Sequence, residues 1–227
     1  MSDPRAALPI VILISGSGTN LQAIIDAARK GELPVDIRAV ISNRPAAAGL
    51  DRARAAGIHA EALDHREFDG REGFDRALAE RIDAHAPALV VLAGFMRILT
   101  AGFVRHYQGR LLNIHPSLLP EFRGLNTHAR AIEAGAECHG ASVHFVTDEL
   151  DGGPVVLQVQ VPVHTGDTVE TLAARVLEQE HRLYPLAIRW FAEGRLQLQN
   201  GAAILDGNPL NAPCLLDADT GALKRCP

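Results

Sequence analysis

Aromatic side chains are scarce: Phe, Trp and Tyr make up 4% of the 227 residues, with one Trp and two Tyr. So few ring faces cannot furnish a base-stacking platform, and the core must be aliphatic. Basic residues are also outnumbered, 22 Lys and Arg against 27 Asp and Glu, for a net charge of −5. A protein built to hold a polyanion carries a basic face, so no nucleic acid is expected as partner, although one small anion remains allowed. The three cysteines, Cys138, Cys214 and Cys226, are widely spaced without a CxxC pair. Neither a disulfide framework nor a zinc knuckle is expected, and a reducing compartment fits. No apolar run approaches the ~18–20 residues of a membrane span. The short run at Ile10 leads into glycines instead of a cleavage site. These absences predict a cytoplasmic chain with no membrane partner.

With 47% hydrophobic residues the chain can bury a full core, and its length suits one α/β domain over 1–227. The run IVILIS, Ile10 to Ser15, is continuously apolar and β-branched, as a strand covered on both faces must be. A helix follows, capped by Thr19 or Asn20 and striped by Leu21, Ile24, Ile25 and Ala28. Strands at 37–41, 59–63 and 89–92 then alternate with helices at 46–56 and 72–85. This rhythm predicts an α/β fold with a Rossmann-like, mostly parallel twisted sheet flanked by helices. Beyond Gly94 come strands at 111–114, 142–146 and 155–161, a short helix at 127–133 and a long one at 168–193. The pieces LQLQ and AAIL give a C-terminal antiparallel extension, with a loose tail at 207–227. Ligands of such sheets bind beyond the carboxyl ends of the strands, so the loops after Ser15, Leu92 and Ile114 are the places to look.

The first of these, Ser15-Gly16-Ser17-Gly18-Thr19-Asn20, points backbone N–H groups and a helix N-terminus at one spot, which suits an anion. No Gly-Lys-Ser/Thr follows, Leu21 stands where a dinucleotide fingerprint needs its third glycine, and Ser42-Asn43-Arg44 offers no ribose acid. A phosphate monoester therefore fits better than a dinucleotide. In the third loop, Asn113 and His115 flank Ile114 at a strand end, so their side chains share one side. An amide donor beside an imidazole can hold a developing oxyanion and move protons near neutral pH. Pro116 and Pro120 stiffen that loop. Asp151, in the turn DELDGGP, could support an imidazolium on His115 or orient a water between them. There is no GxSxG serine and no cysteine near His115, so the attacking group belongs to the substrate. Ten histidines invite a metal, but there is no HExxH, and pairs such as His139 with His144 read as surface and strand residues; no metal is expected.

The segments ISGSGTNLQAII, VVLAGFMRIL, LLNIHPSLLP and SVHFVTDELDGGPV, with Gln179-Glu180-His181, make the chain resemble the phosphoribosylglycinamide formyltransferases, the folate-dependent formyl transferases of purine synthesis. The resemblance runs from Ile12 to about Asp206 and divides the domain into a phosphate-binding half (8–107) and a catalytic and folate-binding part (108–206). It implies that 10-formyltetrahydrofolate, as co-substrate, gives its formyl group to the amine of 5-phospho-ribosylglycinamide. Asn113, His115 and Asp151 fall on the family's catalytic triad, and Gly18, Thr19 and Asn20 on its phosphate loop. The resemblance also assigns Met96, Arg97, Ile98 and Leu99, with Thr147, Asp148, Asp151 and Asn113, to the folate, and makes Arg71 a folate-contacting arginine. Glu180 interrupts a stripe of Leu172, Val176, Leu183 and Ala187, and a carboxylate on that face needs a partner, for which the substrate amine serves. With so few aromatics, the pterin should be held by backbone and aliphatic contacts. Two positions depart from the family pattern, Glu121 in place of a basic residue and Asn126 in place of histidine; both are expected to affect affinity more than reaction.

Related alternatives are a formyltetrahydrofolate hydrolase or another formyl-folate transferase, such as the one acting on methionyl-tRNA. The hydrolase usually carries an extra N-terminal domain and the tRNA enzyme an extra C-terminal one, for which 227 residues leave little room. A dehydrogenase is opposed by the missing glycine and acid, and a catalytically silent binding module by the joint presence of Asn113, His115 and Asp151. Monomer and homodimer are both compatible with the sequence.

Overall fold

A computed structural model describes residues 7–226. The first half alternates strand and helix: β1 (Leu8–Ile14), α1 (Thr19–Arg29), β2 (Val35–Ser42), α2 (Ala48–Ala55), β3 (Ala60–Ala62), α3 (Arg71–Asp83) and β4 (Leu89–Leu92). There follow α4 (Ala101–His106), β5 (Leu111–His115), α5 (Thr127–Glu133), β6 (Cys138–Phe145), β7 (Val155–Pro162) and α6 (Val169–Ala192). The chain ends with β8 (Leu196–Gln199), β9 (Ala202–Leu205), β10 (Asn208–Pro209), β11 (Cys214–Leu216) and β12 (Leu223–Arg225).

Nine strands form one sheet in the order β12-β11-β7-β6-β5-β4-β1-β2-β3, and β10-β9-β8 form a small antiparallel sheet. Strands β1 to β5 run parallel, whereas β6 is antiparallel to both β5 and β7. This is the Rossmann-like arrangement that the alternating sequence predicts. The chain winds outward from β1 through β2 to β3, then returns to add β4 and β5 on the other side of β1. That reversal opens a crevice at the carboxyl ends of β1 and β4.

Side-chain alternation along β1 divides the core. Ile10, Ile12 and Ile14 pack with Leu21 and Ile24 of α1 and with Leu172, Val176 and Leu183 of α6. Val11 and Leu13 point the other way, onto Phe74, Leu78 and Ile82 of α3 and Phe103 of α4. All five β1 residues are fully buried, each contributing roughly 1.5–3 kcal/mol by burial, which explains the unbroken apolar run. Tyr184 of α6 reaches under the site, its hydroxyl 3.0 Å from the carbonyls of Leu92 and Leu112.

Two expectations need correction, and one helix is added. The helix α1 is not capped by Thr19 or Asn20: Gly18 holds the cap position with no side-chain bond, which leaves the first-turn N–H groups unshared with any capping side chain. The tail is not loose, because β11 pairs in parallel with β7, β12 pairs with β11, and Cys214 and Cys226 form a disulfide. A single bridge across a short C-terminal loop has no framework spacing, so its sequence signal is weak. The six-residue α4 escapes the sequence reading because it is too short for periodicity, although Thr100 accepts from the N–H of Phe103 as its cap.

Candidate functional site

The glycine loop is fixed from two sides. Ser15 at the end of β1 donates its N–H to the Gly94 carbonyl at 3.0 Å, and its hydroxyl accepts from the N–H of Met96 at 2.7 Å. On the other side Gly16 accepts from Gly49 of α2, and Arg52 donates to the Ser17 carbonyl. Gly18 adopts φ +71° and lies against Gly49 so closely that a Cβ would come within 2.6 Å of its Cα. Both facts demand glycine. Gly18, Thr19 and Asn20 line a cavity of about 190 Å³ together with Arg44. Arg44 is not among the residues that the sequence assigns to the site; its place just after β2, beside the crevice, is the signal that marks it.

Asn20 and Glu180 come together across α1 and α6. Asn20 Nδ2 donates to Glu180 Oε2 at 2.6 Å, so the carboxylate on the apolar stripe of α6 takes a protein partner instead of lying unpaired. Glu180 is 7% exposed, and burial raises its pKa from the ordinary value, with the Asn20 bond acting against the rise. It lies behind Asn20 and does not line the loop cavity. Asn20 Oδ1 is buried and has no hydrogen-bond partner, so an acceptor stands available at the cavity wall.

Asn113 and His115 sit on β5 with Ile114 between them, and both line a central cavity of about 610 Å³. Asp151 approaches from the β6–β7 turn, its Oδ2 3.5 Å from His115 Nδ1 and 2.9 Å from the N–H of Gly124, which it accepts. His115 Nε2 donates to the Phe122 carbonyl at 3.1 Å. Both ring nitrogens therefore face oxygen acceptors. The DGG sequence has a steric cause. Asp151 takes φ +49°, and a Cβ on Gly153 would lie 1.9 Å from the Phe145 carbonyl, so the turn folds onto β6 only with glycine there.

His144 is in register with Asn113 across the β5–β6 ladder, a neighbour that the sequence does not announce. It is a strand residue, as expected, but one within the site: it is 2% exposed, and its Nε2 is 3.0 Å from Asn113 Nδ2. His139 is also buried, 3.2 Å from His128. Burial, with the neighbouring His128, lowers the His139 pKa to about 4.

A smaller cavity of about 130 Å³ adjoins the central one and has Leu92, Val104, Val146 and Phe95 among its walls. Arg97, Ile98, Asn113 and Asp151 line both, whereas Leu99, Thr147 and Asp148 line only the smaller. Gly94 and Met96 in turn line both the central cavity and the glycine-loop cavity. The three spaces thus form one groove along the carboxyl ends of β1, β4 and β5. Arg97 Nε is buried without a partner, and its guanidinium lies 4.7 Å from the Phe74 ring centre. Two expected residues stand apart: Arg71 is exposed at the start of α3 and Glu121 is exposed after Pro120, and neither lines these cavities. Asn126 does line the central one, in a left-handed conformation that asparagine tolerates.

The groove offers an anion site at one end and a cavity of mixed apolar and polar walls at the other, with an amide, an imidazole and a carboxylate between them. A family described as formyl transferase matches residues 8–188. The phosphoribosylglycinamide formyltransferase of Escherichia coli K12 is 60% identical over 201 residues, covering 88% of this chain and 95% of that protein. Its Haemophilus influenzae counterpart is 50% identical over the same shares. Among solved structures, the phosphoribosylglycinamide formyltransferase of Coxiella burnetii is 55% identical and superposes with a TM-score of 0.85, covering 89% of this chain and 95% of that one. The fold, the groove and these likenesses agree, and the chain belongs to the formyl transferase family.

Proposed function

We propose that the chain transfers the formyl group of 10-formyltetrahydrofolate to the amine of 5-phospho-ribosylglycinamide, yielding the formylated product and tetrahydrofolate in purine synthesis. One observation carries the reading. Asn113 and Asp151 line both the small cavity and the central cavity, and the central cavity opens through Gly94 and Met96 onto the glycine loop. A phosphate at one end and a pterin at the other bring amine and formyl carbon together at that boundary.

The residues fit both substrates. The N-terminus of α1 and Arg44 offer positive charge to the ribose phosphate. Asn20 Oδ1, buried and unpaired, can accept from a ribose hydroxyl next to the phosphate, with Glu180 fixing the amide from behind. The unpaired Arg97 Nε offers a donor beside the apolar walls of the small cavity. The folate supplies an activated formyl carbon when bound. The amine attacks that carbon, the bond to N10 breaks, and the proton lost by the amine is delivered to N10. Asn113 has one amide N–H on His144 and a second for the charge that develops on the formyl oxygen. His115, between the Phe122 carbonyl and Asp151, places imidazolium charge beside the same oxygen. Asp151 supports that charge and receives the amine proton, directly or through a water.

No helix among the described residues is long and apolar enough to cross a membrane, and the partners in this reading are small molecules. The test is to incubate the protein with 10-formyltetrahydrofolate, with and without glycinamide ribonucleotide, and to follow tetrahydrofolate. Release that depends on the acceptor is expected. Release without it would indicate hydrolysis, and no release would overturn the reading.

A further inference from the structure

At the free end of the sheet, away from the groove, three donor side chains converge. His59 precedes β3, Glu61 lies within it, and His85 follows α3. An extended chain places His59 and Glu61 on one face, and the β2–β3 ladder holds them through the pairs Val40 with Ala60 and Ile41 with Glu61. His85 is anchored through its carbonyl, which accepts from Arg38 of β2 at 2.9 Å. The His59 and His85 rings have centres 5.2 Å apart and planes tilted by 44°. Glu61 Oε1 is 3.9 Å from His85 Nε2, while its other oxygen is 3.7 Å from Arg81. Among the described residues this is the one group of three whose ligand atoms all lie within 4.8 Å of one another.

We propose that His59, Glu61 and His85 bind a divalent transition-metal ion of the zinc class at a site separate from the catalytic groove. Two imidazoles and one carboxylate are the donor set such ions take, whereas calcium and magnesium prefer oxygen alone. Bonds of about 2.0–2.2 Å set tetrahedral donors ~3.4 Å apart. His59 is exposed, so its ring can turn toward the other two donors as an ion binds. Arg81 engages the far oxygen of Glu61 and leaves Oε1 turned toward His85. Open coordination positions face solvent and take water. Closing the site ties β3 to the turn after α3, so the ion braces the sheet edge.

The competing arrangement is a plain surface pair between protonated His85 and Glu61 with no affinity for metal, and titration separates the two. The full chain, stripped with EDTA, is titrated with Zn²⁺ by calorimetry beside His59→Ala, His85→Ala and the double variant. One Zn²⁺ per chain is expected, with each single variant weakening binding more than about tenfold, the range in which even supporting groups at metal sites act. Co²⁺ should give a visible absorption band that the double variant lacks, and Zn²⁺ should raise the melting temperature of the parent chain alone. Circular dichroism and unchanged formyl transfer check that the variants fold, since none of the three residues lines the groove. If His85→Ala fails this check, exposed His59→Gln carries the same expectation. No saturable binding by the parent chain, or binding that survives in the double variant, overturns the proposal.

Discussion

Asn113 and His144 face each other across the β5–β6 ladder, with Asn113 Nδ2 3.0 Å from His144 Nε2. His144 Nδ1 lies 2.9 Å from the Phe145 carbonyl and must be its donor, so Nε2 accepts from the amide. Burial holds the His144 pKa below its ordinary value, which keeps the ring neutral and able to accept. The histidine thereby decides which end of the Asn113 amide faces the groove. His144→Phe should lower kcat on the order of 10- to 10²-fold with little change in KM, the effect of losing orientation and not binding. Steady-state kinetics with both substrates measures the split, and an unchanged kcat would remove His144 from the site.

His115→Asn and Asp151→Asn should each lower kcat by about 10² to 10³, the loss typical of one oxyanion-stabilising group. Both substrates should still bind, as equilibrium titration would show. Near-normal turnover in either variant would refute the assignment.

Gly18→Ala forces a Cβ against Gly49 at a left-handed position. A loss of stability of about 1–3 kcal/mol and a raised KM for the phosphorylated acceptor are expected, read by urea denaturation and kinetics. A variant as stable as the parent would show that α2 can retreat.

His139 has its pKa lowered from 6.5 to about 4 and His144 is lowered as well, both first by burial. The unfolded chain then binds more protons than the folded one below pH 6.5, so stability is fully present above that pH and falls as pH drops toward about 4. Asp64, lowered to about 2 from 3.8 by its bonds to Arg66, acts only at more acid pH. Urea midpoints across pH 4 to 7 should slope downward with acid, and His139→Gln should flatten the slope.

For Glu180 the sign is opposite. Burial raises its pKa above 4.5, so the folded chain holds the proton longer, and stability contributed by the neutral form is lost as pH rises through the folded value. Glu180→Gln should therefore melt higher than the parent at neutral pH while losing kcat/KM for the acceptor. A lower melting temperature would mean that the bond to Asn20 outweighs the cost of the buried charge.

Much of the groove is legible in the chain because its causes are local. The strand-loop-helix order puts Gly18, Thr19 and Asn20 at a helix N-terminus, and alternation about Ile114 puts Asn113 beside His115. The turn at Asp151 announces itself through Gly152 and Gly153. The role of His144 depends on which strands become neighbours, and only the folded chain shows Arg71 outside the groove, whereas Arg44, just after β2, has a local signal in its place beside the crevice.

The amino-acid sequence by itself determined the alternating α/β rhythm, the two-sided burial of β1 and the loops in which chemistry could reside, since these follow from periodicity and glycine stereochemistry within short segments. Only the tertiary structure decided that β11 closes onto β7, that His144 orients Asn113, that Asn20 shields Glu180, and that His59, Glu61 and His85 meet at the sheet edge. Each of these relationships joins residues through strand pairing or helix packing over a long stretch of chain, and no local pattern encodes which surfaces will touch.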